Sequence, residues 1–76
     1  MFDAENYTTE ELRDANPIVA MLALGAASLA QAGDLAGAQD ALQRVRDNHG
    51  DECAQAAEVL FARYYAVMEL RRVQAS

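Results

Sequence analysis

The sequence predicts an all-α fold: a small antiparallel helical bundle of three main helices plus a short N-terminal helix. Three observations lead there. Apolar residues recur at three- and four-residue spacing through most of the chain, the period of one helix face. Capping residue types punctuate these stretches at Thr8, Asn16-Pro17, Gly33-Asp34 and Gly50-Asp51. The length of 76 residues suits one domain with a small core, because a chain this short buries only about 60% of its unfolded surface.

Residues 1–7, MFDAENY, read as an irregular arm whose Phe2 can pack back on the core. Residues 8–15 form a short helix. Thr8 and Glu11 have the spacing of a capping box, and Tyr7 with Leu12 fits the hydrophobic staple around it. Pro17 disfavours helical geometry at Asn16, so the chain breaks there. The next helix, residues 17–32, is the longest uncharged stretch. Asn16 is a good N-cap, Pro17 suits the first helical position, and Gly33 suits the C-terminal turn. Ile18, Met21, Leu22, Leu24 and Leu29 are large, while Ala20, Ala23, Ala27 and Ala30 make a narrow small face. A helix apolar nearly all round is expected to be buried on several sides, and its alanine face lets a neighbour approach closely.

Asp34 is placed to cap a third helix, residues 35–48, whose Leu35, Ala38, Leu42 and Val45 form one apolar stripe. Asp40 and Arg44 sit at the i,i+4 spacing of a weak ion pair. Asp51 is the expected cap of the last helix, residues 52–73, with Glu52 and Arg71-Arg72 matched to its dipole. Cys53, Ala56, Ala57, Leu60, Tyr64 and Val67 share one face; Phe61, Tyr65 and Met68 lie beside it. That apolar sector is wider than two helix contacts require. Phe61, Tyr65, Met68 and Arg72 are therefore candidate partner-binding residues, aromatics and Met being enriched at interface cores. The competing account has the N-terminal arm folding over this face.

The residues from Val19 to Gly50 resemble a tetratricopeptide (TPR) repeat, a helix pair of about 34 residues. Leu22, Gly25, Ala26, Leu29, Gly33, Ala38, Leu42 and Val45 stand at the offsets of that pattern, with Gly33-Asp34 at its inter-helix turn. The aromatic residues of the first helix are missing, and the pattern does not recur after Cys53. The resemblance implies a helical hairpin of a protein-binding kind, and one unit implies no specific ligand.

Net charge is −6, which argues against direct nucleic-acid binding, since neutralising phosphates needs a basic surface. The acidity concentrates near the N-terminus, where Asp3, Glu5, Glu10, Glu11 and Asp14 face only Arg13. Arg63, Arg71 and Arg72 outweigh Glu69 at the other end. The uncharged stretch is shorter than the ~20 apolar residues of a membrane span and no cationic segment precedes it, so no membrane role is expected. One cysteine, Cys53, allows no internal disulfide and fits a reducing cytoplasm.

Chemistry is thinly represented. His49 and Cys53 fall short of the four ligands of a structural zinc site. The segment Asp47–Cys53 lacks the order of a calcium loop. Cys53 in a first helical turn with His49 nearby could be a nucleophile, but Asp51 and Glu52 oppose a thiolate, and no pocket is implied. No enzyme, cofactor or metal is expected. The expectation is a non-catalytic protein–protein interaction module acting by helix-face docking, with Phe61, Tyr65 and Met68 as apolar anchors, and self-associating as a homodimer through the last helix. The alternative is a small acidic inhibitor of the phage or mobile-element type. Its Asp3, Glu5, Glu10, Glu11 and Asp14 would engage a basic surface of host nucleic-acid-binding machinery.

Overall fold

The computed structural model describes residues 2–75. After a 3₁₀ turn at Ala4–Asn6, the chain forms α1 (Thr9–Ala15), α2 (Pro17–Gln31), α3 (Leu35–His49) and α4 (Asp51–Ala75), and the described residues contain no strand. All four helices pack on one another, so the fold is all-α.

Local chemistry sets the boundaries. Thr8 Oγ1 accepts from Glu11 N–H at 3.1 Å, while Thr8 N–H donates to Glu11 Oε1 at 2.8 Å. This reciprocal pair is a capping box. Asn16 ends α1 and begins α2, its Oδ1 accepting from Val19 N–H at 3.2 Å. At the far end, Gly33 N–H donates to the Ala30 carbonyl at 3.0 Å and Asp34 N–H to the Leu29 carbonyl at 2.9 Å. Those two bonds are a Schellman motif, which needs a left-handed residue, and Gly33 supplies it with φ 94°. Asp34 then caps α3 by accepting from Gly37 N–H at 2.8 Å. A Cβ at Gly37 would collide with that carboxylate.

The junction between α3 and α4 is one residue long. Gly50 (φ 93°) donates to the Arg46 carbonyl and accepts from Ala54 N–H, both at 3.0 Å. Asp51 is therefore the first helical residue instead of the expected cap. Its carboxylate lies 3.5 Å from Arg46 Nε.

Long-range bonds fix how the helices lie. Asn16 Nδ2 donates to Cys53 Sγ at 3.7 Å, and Gln31 Nε2 donates to the Met68 carbonyl at 3.5 Å. The start of α2 thus meets the start of α4, and its end lies about four turns along α4. Arg63 ties down the N-terminal arm, donating to the Tyr7 carbonyl (2.9 Å), Thr9 Oγ1 (3.2 Å) and the Glu5 carbonyl (3.4 Å). Phe2 and Tyr7 stack with centroids 5.7 Å apart, and Phe2 packs on the core.

The core is built largely from alanine. Ala20, Ala23, Ala26, Ala27 and Ala30 of α2 are buried, as are Ala38, Ala54, Ala56 and Ala57 opposite them. The larger fully buried side chains are Leu60, Val19 and Val45. Leu42 and Phe61 pack against two buried clusters, one around Ala23 and Leu60 and the other around Ala26, Ala30 and Ala38. Apart from Val19, α2 contributes only alanine to the buried core, and Val45, Leu60 and the half-buried Leu42 and Phe61 supply most of the remaining bulk, so the helices pack at close separation.

This arrangement overturns the expectation that α2 is buried on several sides. Ile18, Met21, Leu22, Leu24 and Leu29 are all exposed. The alanine face won the interior because only it leaves room for Phe61, Leu42 and Leu60 against it.

Candidate functional site

Helical spacing places Ile18, Met21, Leu22, Gly25 and Leu29 on one side of α2, opposite the alanines. Exposures are 62% for Ile18, 73% for Met21, 40% for Leu22 and 39% for Leu29. No charged residue lies anywhere in α2. Gly25 is at the middle of this face, and a Cβ added there would meet nothing within 4 Å. Its lack of a side chain is therefore unused by the protomer's own packing. Clustered apolar side chains of this size mark contact surfaces more often than singly scattered ones.

The four α4 candidates lie together but are differently engaged. Phe61 and Tyr65 are half-buried, stack with centroids 6.1 Å apart, and pack against the cluster of Ala26, Ala30 and Ala38. Met68 is half-buried and its carbonyl accepts from Gln31. Arg72 is exposed and donates to Glu69 Oε2 from Nε at 3.0 Å and Nη2 at 2.9 Å. The arm covers a different part of α4, around Arg63. Of the acidic candidates, Glu10 is exposed, Glu11 is committed to its capping box, and Asp14 lies 3.4 Å from Arg13 Nε.

A cleft of about 770 Å³ opens where the arm, α1 and the starts of α2 and α4 meet. Phe2, Leu12, Val19 and Cys53 contribute apolar walls, and Glu11, Asp14 and Glu52 stand at it. Every buried side-chain polar atom among the described residues has a hydrogen-bond partner. Among the described residues no group of three or more His, Cys, Asp or Glu is placed to hold a metal ion, and no helix is long and apolar enough to cross a membrane.

Sequence reasoning treated the large residues of α2 as core and so missed this face. The usable signal was the segregation of size around the helix, with alanine on one side and Ile, Met and Leu on the other. No protein-family model, characterised protein or solved structure matches the chain.

Proposed function

We propose that this is a non-catalytic protein–protein interaction module that self-associates as a homodimer by docking the outer face of α2. One observation carries the reading: Ile18, Met21, Leu22 and Leu29 stand exposed on an uncharged helix face around an open Gly25. A second copy is the simplest occupant. The face has no charge to repel its own image, and net charge −6 elsewhere keeps other surfaces apart.

The arrangement we adopt is three main helices, successive ones antiparallel, with α1 as an accessory. Residues 19–50 serve as a TPR-like hairpin in the geometric sense, two helices joined by the Gly33-Asp34 turn. Phe61, Tyr65 and Met68 then support the docking helix from behind, while Arg72 stays paired with Glu69 on α4. A cytoplasmic setting suits the single free thiol of Cys53.

Light scattering on a sizing column across a concentration series tests the reading. The expected mass is twice 8.2 kDa, reverting to one protomer's mass in Met21→Glu/Leu22→Glu with helical content unchanged. A wild type that stays monomeric to millimolar concentration refutes it.

The second reading, an acidic inhibitor that occupies a basic surface, is favoured by the gathering of Glu11, Asp14 and Glu52 at one cleft. It requires partner binding that weakens steeply with salt, whereas docking of the α2 face does not.

A further inference from the structure

We infer that the cleft between the arm, α1 and the starts of α2 and α4 takes an arginine side chain of a partner protein together with the apolar residue beside it. The inference rests on the second reading above, the acidic surface, and not on self-association. Two independent features of the cleft point to a guanidinium. Phe2 and Tyr7, stacked with centroids 5.7 Å apart, both line it. Glu11, Asp14 and Glu52 line it as well. A guanidinium is flat and weakly hydrated, stacks on an aromatic ring and pairs with carboxylates at its edge. Rings and carboxylates in one cleft therefore serve the face and the edge of the same group. The space of about 770 Å³ exceeds one side chain, and the walls from Leu12, Val19 and Ala56 suit an apolar neighbour.

The cations at this end of the molecule leave the cleft negative. Arg13 lies 3.4 Å from Asp14, but both side chains are exposed, and such a pair is weak in water. Arg46 lies against Asp51 and Glu58, at 3.5 and 3.1 Å, in the groove between α3 and α4. Arg44 pairs with Asp40 at 2.9 Å, and it lines the groove between α2 and α3 with His49. None of these cations lines the cleft. The helix ends nearly cancel, since the negative end of α1 meets the positive end of α2 at Asn16, and Glu52 offsets the start of α4. Glu11 gives one oxygen to Thr8 N–H and keeps its charge. The Glu52 carboxylate has no hydrogen bond or ion pair among the described residues. The carboxylates of the cleft thus outnumber the cations beside it, and a guanidinium supplies the missing charge.

Amide NMR of the isotope-labelled full-length protein tests the assignment, with a blocked Leu-Arg-Leu peptide as the probe. Its counterparts are the same peptide with citrulline, which keeps the shape and loses the charge, and blocked arginine alone. Shifts should centre on Leu12, Asn16, Val19 and Cys53. Affinity should fall about tenfold for the citrulline peptide and for Asp14→Asn/Glu52→Gln, as expected for two or three partly exposed charge and ring contacts. Both substituted side chains are exposed and neither caps a helix, so melting stays unchanged. Tyr7→Leu keeps apolar bulk and loses the ring, and should weaken binding by about threefold. Salt-sensitive binding that maps outside the cleft overturns the site and leaves the acidic-surface reading standing. No binding of the arginine peptide anywhere at millimolar concentration overturns both. Equal affinity for the citrulline peptide overturns the guanidinium, and equal affinity for blocked arginine alone overturns the apolar neighbour.

Discussion

Replacing Gly25 with Ala separates two roles that one residue can play. Within the protomer, Gly25 lies inside α2, has helical backbone geometry, and a Cβ built on it touches nothing within 4 Å. No packing penalty offsets the helix-propensity gain. A mid-helix Gly is less favourable than Ala by about 0.5–1 kcal/mol. The variant should therefore raise unfolding free energy by that amount and, at roughly 4–8 °C per kcal/mol for a domain of this size, lift Tm by about 2–8 °C. The assay is urea and thermal melting followed by circular dichroism, at concentrations where light scattering finds one protomer. That condition matters because self-association adds its own concentration-dependent stability. A loss of stability in Gly25→Ala would refute the reasoning, since it would mean that position 25 contacts the protomer's own core.

Asn16→Ala removes the oxygen that caps α2 and the donor to Cys53; urea midpoints should show a loss of about 1 kcal/mol, within a range of roughly 0.5–2. Ala27→Leu adds bulk at a site with 0% exposure and should cost about 1–3 kcal/mol by the same melts. Met21→Ala, on the outer face, should leave the monomer's melt within about 0.5 kcal/mol; the contrast checks which side of α2 is inside. Arg63→Ala frees the arm from three hydrogen bonds, and amide exchange at residues 5–9 should accelerate while the centre of α4 stays protected.

Most of the helix limits were legible because they are decided within a few residues. Thr8 with Glu11, Asn16 before Pro17, and Gly33 before Asp34 each satisfy backbone groups that local sequence leaves unpaired. Gly50 is legible as the end of α3 but not as the start of α4. One residue serves both helices because Gly50, at φ 93°, turns the chain between a backbone bond that ends α3 and one that opens α4. The candidate surface was less legible than the fold. Phe61 and Tyr65 stand out in the sequence as surplus aromatics, yet their place against Ala26, Ala30 and Ala38 depends on residues about 30 positions away.

The sequence by itself determined that the chain is all-α, where its helices break, and that α2 has a face of alanines and a face of large side chains. It did not determine which of those faces is inside, because both are apolar and hydrophobicity is satisfied by burying either. Tertiary structure decided it by volume. Leu42, Leu60 and Phe61 already supply much of the bulk between the helices, close packing leaves room opposite them for alanines and Val19, and the Ile, Met and Leu side chains of α2 are left outside.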